Sequence, residues 1–107
     1  MDTVKTSEKL GLLLTTTPEN ENTHTVVKLA EAALLAGKEV HIFLMCDGVH
    51  NANDKRVLAL IEKGVKVAVC AHNAKERHVA ERDQILWGSL YDFACIAEEC
   101  DRLLAFN

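Results

Sequence analysis

The sequence predicts a three-layer α/β/α domain built on a parallel, mostly five-stranded sheet. Short aliphatic runs recur along the chain, continuous rather than alternating, which is how strands covered on both faces read. Segments with apolar side chains at helical spacing, about 10–15 residues long, separate those runs in the manner of βαβ units with right-handed crossovers. At 107 residues the chain fits one domain and leaves no room for a second, so residues 1–107 are read as a single unit.

The first strand is predicted over Lys9 to Thr16, on the run Leu10-Gly11-Leu12-Leu13-Leu14. A polar loop follows, from Thr17 to Asn22. Val26, Val27, Ala30, Ala33 and Leu34 then mark one face of a helix from Thr23 to Ala36, with Gly37 as its C-cap. Val40 to Cys46 is the second strand, interrupted only by His41, which reads as a satisfied core or interface residue. Asp47-Gly48 gives a turn and Asn51 to Asp54 a capping region. The next helix runs to Lys63 with Val57, Leu58 and Ile61 inward, and ends at Gly64.

Val65 to Ala71 is the third strand. Glu76 lies three residues after Asn73, which reads as a capping box opening a short helix towards Val79. Ala80 to Gly88 is readable as a short edge strand or a buried loop. Ser89 caps a helix through about Glu99, with Leu90, Phe93, Ala94 and Ala97 on the inner face, and Arg102 to Phe106 is the last strand.

Composition excludes several function classes. Twelve basic residues against sixteen acidic ones give a net charge of -4, and no basic stripe forms, so a nucleic-acid partner has no electrostatic footprint. No apolar stretch approaches the roughly 20 residues of a membrane span. Met1 to Lys9 is polar and carries no signal-peptide core. The chain is therefore expected to be soluble and cytoplasmic. A domain this small buries only about two-thirds of the surface its unfolded chain exposes, and leftover apolar surface favours self-association.

In parallel sheets, ligands bind beyond the carboxyl ends of the strands. Thr15 to Asn22, Cys46 to Asn53 and Cys70 to Asn73 are expected there, with His24, His50, His72 and His78 in or near these loops. The four cysteines, Cys46, Cys70, Cys95 and Cys100, contain no Cys-x-x-Cys pair and are read as free thiols. Cys70 has the more activating surroundings, with a helix N-terminus expected beyond it and His72 and Lys75 close in sequence. Cys46 abuts Asp47, whose carboxylate opposes negative charge on sulfur. Cys46, Cys95 and Cys100 are read as small packing residues. A metal site from Cys46, His50, Cys70 and His72 matches no standard zinc spacing, and none is assigned. The first strand is followed by Pro18-Glu19-Asn20 with no glycine before Gly37, so no phosphate loop is present.

Asp47-Gly48-Val49-His50-Asn51-Ala52-Asn53 and Val67-Ala68-Val69-Cys70-Ala71 resemble the corresponding segments of the DsrE/DsrF/TusD-like sulfur-relay family. The first strand with its polar loop and long helix, and the closing Asp101 to Phe106, fit the same resemblance. It implies a five-stranded parallel sheet, a homotrimer or a hexamer of stacked trimers, and a role in intracellular sulfur handling without a cofactor. It places Cys70 at the sulfur-accepting position, where sulfane sulfur is taken up as a persulfide and passed to a partner protein. Thr16, Cys46, Asp47, Gly48, Asn51 and His72 are expected to form the walls of that site. The resemblance does not explain a cysteine directly before Asp-Gly-Val. The alternative from another class is a non-catalytic oligomeric module that holds a small ligand or metal in the same strand-end cleft.

Overall fold

The computed structural model describes residues 8–107. The polar segment Met1 to Lys9 lies outside them except for its last two residues. Strand β1 (Lys9–Leu14) leads through helix α1 (Glu21–Leu35) to β2 (Glu39–Leu44). A 3-10 segment (Cys46–Asn53) and helix α2 (Lys55–Glu62) lead to β3 (Lys66–Cys70). Helix α3 (Ala71–Glu76), strand β4 (Leu86–Gly88), helix α4 (Leu90–Glu99) and strand β5 (Arg102–Phe106) complete the chain. The five strands are all parallel, in the order β4-β3-β2-β1-β5, so the expected sheet is present.

Local chemistry moves several boundaries. Helix α1 starts before Thr23 because the Asn20 side chain accepts a bond from the Asn22 N–H at 2.8 Å, and Glu21 complements the helix dipole. Thr23 thereby turns inward and is fully buried. Ala36 and Lys63 cap α1 and α2, and Gly37 (φ 80°) and Gly64 (φ 104°) follow them in the left-handed conformation that ends a helix. Strand β2 stops at Leu44, short of Cys46, because Cys46 adopts φ 55° and turns the chain into the 3-10 segment. The predicted turn at Asp47-Gly48 is thus part of a longer helical segment, and Asp54 alone caps α2.

The capping box at Asn73 is not formed as expected. Cys70 is the cap of α3, and Asn73 lies inside the helix. The helix also ends at Glu76 rather than near Val79, with His78 at φ 56°. The Ala80 to Gly88 stretch ends in the short edge strand β4, with Ile85 buried before it. Ser89 caps α4 in a full capping box with Asp92.

One face of the sheet is covered by α1, α2 and α3, whose Val26, Ala30, Val57, Leu60 and Ala74 pack against Leu12, Ile42, Leu44, Val67 and Val69. The other face is covered by α4. Phe93 packs on Phe43 in a tilted pair with ring centroids 5.2 Å apart, and Ile96 packs beside it. This contact sets the rotation of α4, so Leu90 and Ala94 are exposed rather than inward. In α2 the fully inward residues are Val57 and Leu60, while Leu58 and Ile61 are half-buried at its margin.

The Asp54 cap ties stability to pH. Burial acts to raise its pKa, but bonds from the Arg56 backbone N–H and guanidinium at 2.9–3.0 Å outweigh it and hold the carboxyl below its ordinary 3.8. A lowered folded pKa means that the unfolded chain binds more protons in this window, so the stabilisation is present above about pH 4 and is lost as pH falls through the folded value. Urea unfolding should therefore show the gap between wild type and Asp54→Asn shrinking from pH 6 to pH 3. An unchanged gap would remove the charge from the account.

Candidate functional site

The path of the chain creates one crevice. From β1 to β4 the chain steps across the sheet in one direction, with its helices on one face. After β4 it reverses, and α4 crosses the opposite face to place β5 beyond β1. The loops leaving β3 and β4 therefore diverge to opposite faces, which is the switch point where open α/β sheets bind ligands. A cleft of about 480 Å³ lies there. Met45, Cys46, Cys70, Asn73, Gly88 and Leu90 line it, with Ala71, His72 and Ser89 completing the wall.

Cys70 ends β3 and is 6% exposed. Its Sγ accepts a hydrogen bond from the Asn73 N–H at 3.5 Å. The Asn73 side chain turns the other way, and its Oδ1 accepts from the Cys46 N–H at 2.8 Å. One residue thus joins the two cysteine-bearing loops. Pairing of Leu44 with Val69 sets Met45 beside Cys70 along the strands, and Cys46 follows one step later. Cys46 is exposed, which corrects its reading as a buried packing residue: its left-handed backbone turns the loop out into solvent.

Arg77 is the site residue that sequence reasoning missed. Its Nε donates to Asp47 Oδ1 at 2.8 Å, and its Nη1 donates to the Asn73 carbonyl at 3.3 Å. The Asp47 hydrogen bond, opposed by desolvation and reinforced by the charges of Asp47, Glu76 and Cys46, raises the Arg77 pKa. Asp47, the residue after Cys46, is therefore paired with a guanidinium. No spacing rule links an aspartate and an arginine thirty residues apart, so the sequence carries no signal for the pair.

The remaining expected site residues build the loop. Asn51 is fully buried and satisfied: its Oδ1 accepts from the Thr23 hydroxyl at 2.7 Å, and its Nδ2 donates to the carbonyls of Thr16 and Gly48, both at 2.9 Å. The Thr16 hydroxyl accepts from Asn22 Nδ2 at 3.2 Å. Gly48 lies against β1 so closely that a Cβ there would sit 2.0 Å from the Leu14 carbonyl oxygen. Thr16, Gly48 and Asn51 thus lie behind the cleft, outside its lining. The His72 side chain is 79% exposed and turned to Glu76, with Nε2 3.4 Å from its carboxylate. Among the described residues, no three His, Cys, Asp or Glu side chains converge to hold a metal ion.

Cys95 and Cys100 lie on or just after α4, away from the crevice, and burial pushes the Cys100 thiol up. Cys95 borders a separate groove of about 450 Å³ that also meets Val65, Lys66 and Leu86, near the amino ends of β3 and β4. His41 lies there in β2, half-buried and hydrogen-bonded to Glu39. No helix of the described residues is long and apolar enough to cross a membrane.

The model of the DsrE/DsrF-like family matches residues 8–106. An uncharacterised protein, MJ0989 of Methanocaldococcus jannaschii, is 29% identical over 113 aligned positions, covering 92% of this chain and 99% of that protein. Among solved structures, the ychN protein from E. coli superposes with a TM-score of 0.76 at 16% identity, covering 94% of this chain and 99% of that one. BT1422 from Bacteroides thetaiotaomicron, described as a conserved protein of unknown function, gives a TM-score of 0.68 at 18% identity, with 92% and 95% covered. At these identities the two structures speak for the fold alone.

Asn51→Ala strands the Thr23 hydroxyl and two carbonyls, and should cost roughly 3 kcal/mol in denaturant unfolding. Asn73→Ala leaves the core intact but frees the Cys46 N–H, whose hydrogen exchange should quicken while that of β1 and β2 holds. Equal exchange in the variant and the wild type would mean that Asn73 does not anchor the loop.

Proposed function

The chain belongs to the DsrE/DsrF-like family, which is generally linked to sulfur relay, and from that premise we propose that it is an intracellular sulfur-relay protein that accepts sulfane sulfur as a persulfide on Cys70 and passes it to a partner. The observation that carries the proposal is the position of Cys70, at the strand end bordering the switch-point crevice, with its sulfur bonded to the Asn73 N–H.

The chemistry follows from that position. Cys70 Sγ, as the thiolate, attacks the outer sulfur of a donor persulfide. The donor's S–S bond breaks, a bond from Cys70 Sγ to that sulfur forms, and the donor leaves as a thiolate that takes up the proton Cys70 gave up. In the second half, an acceptor thiolate attacks the outer sulfur and Cys70 is released as a thiolate. Neither half is a net oxidation, so no cofactor is required. The Asn73 N–H is the group that touches the sulfur, and it serves both the attacking and the departing thiolate. Met45 and Leu90 line the cleft with apolar surface. The low exposure of Cys70 shields a persulfide from bulk thiols and oxidants.

Assembly as a homotrimer or a stacked hexamer, with donor and acceptor proteins visiting the cleft, belongs to the same proposal. Leu86, Leu90, Tyr91, Leu103 and Leu104 are exposed apolar or aromatic side chains that association would cover. Four free thiols fit a reducing, cytoplasmic setting.

Incubation with a low-molecular-weight persulfide and weighing of the intact protein tests the assignment. Wild type should gain about 32 mass units, one sulfur atom, and Cys70→Ser should not. Uptake by Cys70→Ser as readily as by wild type would overturn the role of Cys70.

A further inference from the structure

We propose that Cys46 is the exit thiol of this site: sulfane sulfur received on the buried Cys70 moves to the exposed Cys46, and a macromolecular acceptor takes it from there. The inference rests on Cys70 as the entry point and adds a second covalent station to it.

Four observations carry it. Both sulfur-bearing residues line the same cleft, Cys70 at the end of β3 and Cys46 two residues beyond the end of the neighbouring β2. Asn73 fixes them relative to each other, bonding Cys70 Sγ with its N–H and the Cys46 N–H with its side chain. Cys46 is held at φ 55°, a conformation that a non-glycine residue adopts only when its surroundings impose it, and such positions concentrate at functional sites. The surroundings of the two residues differ as well. Cys46 is exposed and followed by Asp47, which is paired with Arg77, whereas Cys70 is buried and its hydrogen-bond partner is a neutral amide. Water solvates an anionic persulfide on the exposed Cys46 better than on the buried Cys70, which gives the transfer a direction.

Access supplies the need for such a step. A small persulfide can enter a cleft of about 480 Å³, but a thiol carried on a folded protein meets Cys70 at only 6% exposure. In the transfer, Cys46 Sγ as thiolate attacks the outer sulfur held on Cys70. The new bond joins that sulfur to Cys46 Sγ, the bond to Cys70 Sγ breaks, and the electron pair stays on Cys70 as a thiolate facing the Asn73 N–H. One thiolate and one persulfide become one persulfide and one thiolate, with no oxidant, reductant or net proton.

The test follows the position of the sulfur over time. Wild-type protein is given one equivalent of a low-molecular-weight persulfide, alkylated at early and late times, and digested with trypsin. Cleavage after lysine puts Cys46 in the fragment 39–55 and Cys70 in the fragment 67–75. The extra sulfur should appear first on 67–75 and then on 39–55. In Cys46→Ser and Cys46→Gly it should stay on 67–75, and delivery to a reduced thiol protein should be lost. Glycine takes the left-handed conformation without strain, which guards against a folding defect. If 39–55 never carries the sulfur in wild type and both variants still deliver it, the exit role is wrong while Cys70 stands as acceptor. If Cys70→Ser loads sulfur at the wild-type rate, the entry assignment itself fails.

Discussion

Right-handed crossovers allow a parallel sheet to reverse its direction of growth only by sending the next helix over the opposite face. In this protein the reversal comes after β4, and α4 is the helix that crosses. Everything at the site depends on that turn of the chain. It parts the loops that leave β3 and β4, and it makes Cys70 the last residue of the strand bordering the gap. The same turn leaves one helix to cover a sheet face whose opposite side has three, so several large apolar side chains remain in solvent.

Two asparagines then convert the gap into a defined cleft. Asn51 spends all its hydrogen-bonding capacity inside the fold, linking α1, the 3-10 segment and the loop after β1. A satisfied buried amide of this kind fixes position, because any displacement strands several polar groups at once. It anchors the base of the loop whose first residue is Cys46. Asn73 performs the corresponding task at the rim, where backbone and side chain reach the two cysteine loops from opposite sides. Arg77 closes the arrangement by pairing with Asp47, the residue after Cys46.

The fold was largely legible because it rests on continuous aliphatic runs and helical spacing, signals averaged over many residues. The parallel direction of the strands and Cys70 at a strand end follow from the same signals, whereas the order of the strands in the sheet does not. What escaped the sequence were choices made by single side chains. Asn73 and Glu76 have the spacing of a capping box, yet a competing donor, the Cys46 N–H, takes the asparagine side chain and leaves the cap to Cys70. Cys46 reads as the end of a strand because its neighbours are apolar, and only the backbone reveals the left-handed turn that exposes it. Leu90 and Ala94 share a face with Phe93 by sequence, but the Phe43–Phe93 contact sets the helix rotation and leaves them outside. Asn51 and Thr16 carry the residue types of a binding loop and serve instead as its framework.

The central claim is that the crevice between β3 and β4 is where sulfur is held. A crystal structure of protein treated with a persulfide donor, with the sulfur atoms located by anomalous scattering, tests it directly. The account predicts one additional sulfur inside the crevice, bonded to Cys70 Sγ or Cys46 Sγ, with the Asn73 bridge in place. An empty crevice with the added sulfur on Cys95 or Cys100 would contradict it.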